Sequence, residues 1–223
     1  MFSALGCLEI KHLGLMPYKE SLRIQEQLVL SRRSGEVPDQ LLMQEHPHVI
    51  TVGKSSSEEH ILVTEEQISD LGINVFKVGR GGDVTYHGPG QLVGYPILDL
   101  KPNRKDLHRY LRDLEEVLIR SLAVLSIVGR RRDKMTGVWV EGRKIAAIGV
   151  RVSSQWITSH GFSINVCNDL SYFETIVPCG IKDVEVTSIA NELGTKITIG
   201  AVTRIVVQEF REVFQTNVEC DPQ

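Results

Sequence analysis

The chain has 223 residues, with 25 Lys and Arg against 28 Asp and Glu and a formal charge of −3. It is long enough to bury one sizeable core, and one domain over 1–223 is expected. No strong positive field invites nucleic acid, so that partner class is not expected. The cysteines Cys7, Cys167, Cys179 and Cys220 are widely spaced and form no C-x-x-C pair. That spacing argues against a disulfide framework or a zinc site, and for a reducing compartment, the cytoplasm. The first residues lack the basic start of a signal peptide, and no apolar run approaches the ~20 residues that span a bilayer, so no membrane partner is expected.

In chain order, Cys7 to Leu13 alternates like a strand. Pro17 can open a helix at its first turn, with Tyr18, Leu22, Gln25 and Leu28 on one face and Gly35 as the stop. Gln40 to Glu45 and Val49 to Val52 read as strands around His46-Pro47-His48, whose histidines are expected as turn residues because no further ligand lies at metal spacing. Thr64 to Gln67 has the capping-box form and starts a short helix. Asn74 to Val78 is a strand entering a glycine-rich stretch. Asp106 to Leu125 carries Leu107, Leu111, Leu114, Val117, Leu118, Leu122 and Leu125 at helical spacing. Arg130-Arg131-Arg132 follows as a basic run, read as a solvated loop. Gly137 to Val140, the turn Glu141-Gly142 and Lys144 to Val152 form a hairpin signal. Gln155 to Val166 adds a strand, Thr187 is placed to cap a short helix, and Val202, Val206, Phe210 and Val213 mark a last helix. Trp139 and Trp156 read as core residues rather than ligand platforms. Strands in runs with helices between them predict an α+β fold, a mixed or antiparallel sheet with flanking helices, here placed on one side.

The most informative stretch is Gly79-Arg80-Gly81-Gly82-Asp83-Val84-Thr85-Tyr86-His87-Gly88-Pro89-Gly90-Gln91. Glycine permits positive φ and close approach of a ligand to the backbone. A loop that only reverses the chain has no use for so many different polar groups. The stretch is not a P-loop, and it lacks the last glycine of G-x-G-x-x-G. It reads as a binding loop in which Arg80 holds a polar or anionic group and Tyr86 and His87 wall a pocket.

Cys179 stands between Pro178 and Gly180, a setting that leaves a thiol accessible and backbone N–H groups free. A nucleophilic thiol needs a nearby cation or helix N-terminus, and His87, His160 and Lys144 are the candidates. Lys144 lies in Arg143-Lys144-Ile145-Ala146-Ala147-Ile148-Gly149-Val150. An ammonium among small and apolar residues is partly desolvated, which suits proton transfer.

Four segments together resemble one family: Arg80 to Gln91, Gly142 to Gly149, His160 to Val166, and Pro178-Cys179-Gly180. In order and spacing they resemble the octanoyl transferases of lipoate synthesis, over nearly the whole chain. The resemblance implies a domain like the catalytic domain of biotin and lipoate protein ligases. It implies transfer of an octanoyl group from octanoyl-acyl carrier protein to the acceptor lysine of lipoyl domains. Those domains belong to 2-oxoacid dehydrogenase E2 subunits and glycine cleavage H protein. It implies a catalytic pair matching Cys179 and Lys144, with neither metal nor cofactor. Its substrate-contacting segments match Arg80, Gly81, Gly82, Asp83, Val84, Thr85, Tyr86 and His87; Ala147, Ile148 and Gly149; and Gly161, Phe162 and Ser163.

Four other readings compete. An ATP-dependent ligase of the same fold needs no cysteine. A lipoyl-moving amidotransferase needs no carrier protein. A non-catalytic acyl- or carrier-binding protein needs neither Cys179 nor Lys144. A thiol hydrolase passes the acyl group to water.

Overall fold

A computed structural model describes residues 7–102, 104–177 and 184–215, with the side chain of Glu58 left aside. The larger of its two sheets contains β1 (Leu8–Leu15), β2 (Asp39–Glu45), β6 (Gln91–Ile97), β7 (Arg130–Arg132), β8 (Met135–Val140), β9 (Arg143–Val152) and β10 (Thr158–Asn165). Their spatial order is β1-β2-β6-β10-β9-β8-β7. β1 and β2 run parallel, and the remaining pairs are antiparallel. The smaller sheet, β4-β3-β5, is built from β3 (Val49–Val52), β4 (Asn74–Lys77) and β5 (Val84–His87). The mixed sheets and flanking helices agree with the α+β expectation.

Alternation along β2 decides where the helices go. Leu41 and Met43 belong to the main apolar cluster, which holds the buried faces of α3 (Leu107–Val124) and α5 (Ile199–Phe214). Leu42, between them, belongs to a second cluster with Tyr18, Val93 and Tyr95, packed by Leu22 and Leu28 of α1 (Tyr18–Ser34). Successive strand residues face opposite ways, so both faces of β2 and β6 are buried and both are covered. The expected one-sided arrangement is thus corrected: α3 and α5 cover one face, and α1 with the small sheet covers the other.

Local signals act where the sequence places them. Gly35 takes φ 80° and closes α1 through its N–H to the Arg32 carbonyl, a left-handed cap that glycine adopts without a Cβ penalty. Thr64 and Gln67 make the reciprocal capping box that starts α2 (Glu65–Asp70). Asp106 caps α3 by accepting from the Arg109 N–H. Tyr110, Leu114, Val117, Leu118 and Leu122 bury its inner face, each fully buried large side chain contributing about 1.5–3 kcal/mol. The cap of the short α4 (Ile189–Leu193) is Ser188, one residue beyond the expected Thr187.

Two segments differ from expectation. The glycine-rich stretch contains a strand, β5, which pairs antiparallel with β3. Arg130–Arg132 is an edge strand paired with β8, not a free loop. Cys7 is disulfide-bonded, which the sequence did not suggest, whereas Cys167 is free.

Candidate active site

A cavity of about 340 Å³ opens between the two sheets and the start of α3. That volume lies at the low end of the ~300–1,000 Å³ typical of small-molecule sites. Residues 80–85, His87, Lys144, Ala147 to Gly149 and Gly161 to Ser163 all line it. Tyr86 does not. It alternates away from Thr85 and His87, and its hydroxyl meets His48 Nδ1 at 2.7 Å. Its ring stacks on Tyr172 at 5.2 Å, on the far side of the small sheet.

Close approach favours glycine at several positions, and Gly161, Gly94 and Gly149 show how. A Cβ on Gly161 would lie 2.1 Å from the Gly94 carbonyl oxygen, so β10 and β6 touch backbone to backbone here. A Cβ on Gly94 would meet the Phe162 ring at 2.2 Å, so the bare backbone seats that ring. A Cβ on Gly149 would lie 3.0 Å from Arg80 Cδ, so β9 leaves the arginine stem its path.

Arg80 is buried. Its Nη2 donates to the Thr51 carbonyl at 2.7 Å and to Thr51 Oγ1 at 2.9 Å. Nη1 donates to the Gly81 carbonyl at 3.1 Å. Much of the guanidinium's donor capacity therefore braces the glycine loop against β3, and Arg80 is first of all a brace.

The floor is a layer of buried imidazoles and phenols. His87 is held by Gln91, with Nδ1 2.6 Å from Oε1. His46 lies between the Met16 carbonyl and the Tyr95 hydroxyl. His160 takes φ 54°, in the left-handed region, and its N–H donates to Gln25. Burial pulls the His87 pKa down to about 3, helped by His46, and those of His46 and His160 down to about 4. All three are neutral near pH 7, so His87 and His160 do not supply the cation a reactive thiol needs. Burial also pushes the Tyr18 hydroxyl up to about 12 and raises that of Tyr95 well above its ordinary value.

Lys144 sits on the cavity wall at 5% exposure. Its backbone N–H donates to the Glu185 carbonyl at 2.8 Å, and its carbonyl accepts from the Thr187 N–H at 2.9 Å. Upstream, Val177 N–H donates to the His60 carbonyl at 2.8 Å, and Ile176 bridges Ile61. Cys179, with Pro178 and Gly180, lies outside the described residues.

Sequence reasoning missed Tyr18, Thr51 and Tyr95 as cavity residues. Tyr18 and Thr51 lie on predicted elements, Tyr95 lies on β6, and only the packing of α1, β3 and β6 around one space brings them together. Leu107 and Leu111 of α3 also line the cavity, and Leu111 packs against the main apolar cluster as well. Among the described residues no His, Cys, Asp and Glu group is placed to hold a metal ion, and no helix is long and apolar enough to cross a membrane.

The fold is similar to those of solved ligase structures. A putative lipoate protein ligase from T. acidophilum with bound lipoic acid matches over 96% of this chain and 87% of its own, at TM-score 0.71 and 15% identity. The biotin protein ligase from Aquifex aeolicus, in complex with biotin and ATP, matches at TM-score 0.56 over 94% and 70%. At such identities the likeness is one of fold. Residues 17–211 match the lipoyl protein ligase A/B catalytic domain. An octanoyltransferase of Rubrobacter xylanophilus is 55% identical over 93% of this chain and 94% of its own length. One of Solibacter usitatus is 49% identical over 92% of each. The chain belongs to the lipoyl protein ligase A/B catalytic-domain family and, with these relatives, to its octanoyltransferases.

Proposed function

We propose that the protein, acting as one catalytic domain over 1–223, moves an octanoyl group from octanoyl-acyl carrier protein to the acceptor lysine of lipoyl domains. Those acceptors are domains of 2-oxoacid dehydrogenase E2 subunits and glycine cleavage H protein. The Cys179 thiolate attacks the donor thioester, the carrier thiol departs, and a Cys179 thioester forms. The acceptor amine then attacks that thioester, an amide forms and the Cys179 thiol is released. Thioester exchange is near neutral in energy and amide formation is downhill, so acyl activation by ATP is not required. Lys144 takes the thiol proton, returns one to the carrier thiolate and later accepts one from the amine.

The observation that carries this reading is the pairing of Lys144 with the chain just after the cysteine segment. Glu185 and Thr187 hydrogen-bond the lysine's own backbone, and Val177, two residues before Cys179, is tied to His60. The described chain on either side of the cysteine segment is thus fixed by backbone hydrogen bonds, and on the downstream side the partner is Lys144 itself. The acyl chain is held in the cavity chiefly by burial, at about 0.8 kcal/mol per CH₂. We place the reaction in the cytoplasm because the Cys179 thiol must be reduced to act, although Cys7 is disulfide-bonded in this structure.

The test is intact-protein mass after mixing with octanoyl-carrier protein in the absence of ATP. An octanoyl adduct, removed by hydroxylamine and absent from Cys179→Ala, is expected. Transfer to a lipoyl domain by purified Cys179→Ala would overturn the covalent route. Transfer only on addition of ATP would assign the protein to ligase chemistry.

A further inference from the structure

Trp139 is 3% exposed, yet it belongs to none of the three apolar clusters formed by the described residues. Its neighbours Val138 and Val140 both join the cluster under α3 and α5. Strand alternation therefore turns the indole away from that core. It is the cross-strand partner of Lys144 on β9, and the Lys144 ammonium stands 5.2 Å from the ring centroid. That is within the ~6 Å over which a ring face attracts a cation.

Gly137, two residues earlier on the same strand, shapes the space beside it. It takes φ 131°, and a Cβ there would lie 3.0 Å from Lys144 Cε and 3.6 Å from Nζ. The bare backbone lets the lysine stem run past. The Gly137 N–H donates to Glu115 Oε1 at 3.1 Å. Arg112 and Arg131 fix the other oxygen of that buried carboxylate at 2.6 and 3.0 Å. The ring and the glycine together form a seat for the lysine, tied back to α3.

The geometry points to Trp139 as a positioning residue that holds the Lys144 ammonium through its ring face while protons are exchanged. This rests on the proton-transfer role proposed above for Lys144. A lysine ends in a compact charge on a flexible four-carbon stem, so an unguided ammonium visits many positions. An aromatic face narrows that set without removing the proton. Mere packing would be served equally by an aliphatic side chain, and that difference is measurable.

The experiment compares steady-state octanoyl transfer by Trp139→Phe, Trp139→Leu and Lys144→Ala, with cooperative unfolding checked for each. A cation–π contact accounts for up to about thirty-fold in rate, so kcat is expected to fall about ten-fold in Trp139→Leu and less than about three-fold in Trp139→Phe. KM for donor and acceptor should stay nearly constant in both. Equal kcat in the Phe and Leu variants, with Lys144→Ala inactive, overturns the seat alone. A loss confined to KM does the same. Full turnover in Lys144→Ala overturns the lysine's role and this inference with it. Should Trp139→Leu fail to fold, Trp139→Met against Trp139→Tyr makes the same aromatic-versus-aliphatic comparison.

Discussion

Lys144 and Glu185 are joined main chain to main chain: the lysine N–H donates to the Glu185 carbonyl at 2.8 Å, and two residues on, Thr187 N–H returns a bond to the lysine carbonyl. The lysine is thus part of the short ladder that anchors the chain downstream of the cysteine. Its side chain can be removed without removing that ladder, because the anchoring groups belong to the backbone.

Lys144→Ala is therefore expected to leave the fold nearly intact and to lower kcat by about 10²–10⁴-fold, the range of one general acid–base group. Octanoyl transfer and thermal unfolding of the purified variant check this together. A wild-type kcat would remove Lys144 from the mechanism. A large fall in the unfolding temperature would make it a structural residue.

Gly161 and Gly200 should respond to alanine in opposite ways. At Gly161 a methyl would strike the Gly94 carbonyl at 2.1 Å and Pro96 Cδ at 2.6 Å, and neither neighbour is the free end of a flexible side chain. Overpacking of this kind costs about 1–3 kcal/mol or more. That lowers the unfolding midpoint by roughly 2–12 °C in a chain of this size. Gly200, in the first turn of α5, has no atom within 4 Å of a built Cβ and no positive φ. Gly200→Ala should be neutral or stabilise by up to about 1 kcal/mol. Thermal melts of the two variants decide whether close strand approach is what demands glycine at 161.

Particular residues show why some of this architecture is readable in the sequence and some is not. The Gly35 cap, the Thr64–Gln67 box and the periodicity of α3 are local, and the chain carries them in a few residues. The cavity residues on 80–85 are legible because glycines and varied polar groups cluster there for a reason other than turning, whereas those on 147–149 and 161–163 are marked only by the family resemblance. Tyr18, Thr51 and Tyr95 carry no such mark, since their role follows from which distant elements surround one space. Arg130–Arg132 lacks the alternation of a strand, and only its pairing with β8 makes it one. Trp139 is buried as its residue type leads one to expect, but that it stands against Lys144 follows from strand register alone.

The basic residues near the hairpin should divide into brace and steering group. Arg131 belongs to the basic run 130–132, but its guanidinium bonds Glu115 at 3.0 Å and Glu116 at 2.8 Å. Arg131→Glu would set a carboxylate against the buried Glu115, so a stability loss of about 1–3 kcal/mol is expected. Lys134 is exposed and lines the cavity. Lys134→Glu should keep the fold and raise KM for the carrier, with a weaker salt dependence than wild type. Denaturant melts and KM at two ionic strengths separate the roles. An unchanged KM in Lys134→Glu would place the docking surface elsewhere.

Acid should weaken the fold well before its carboxylates are protonated. His46, His87 and His160 are buried, with pKa values lowered to about 4, 3 and 4 from the ordinary 6.5. The unfolded chain therefore binds protons between pH 6.5 and 4 that the folded chain refuses. Stability rises with pH wherever the unfolded state holds more protons. The full contribution is thus present above pH 6.5 and is lost as pH falls toward 4, at up to about 1.4 kcal/mol per pH unit for each histidine. Urea unfolding at pH 7.5, 6.0 and 5.0 should show a midpoint that drops steadily. His46→Gln, which removes one titrating ring, should flatten the slope by about a third if the three contribute alike. A midpoint constant from pH 7.5 to 5.0 would mean that the imidazole layer accepts protons in the folded state, and that its histidines are open to solvent through the cavity.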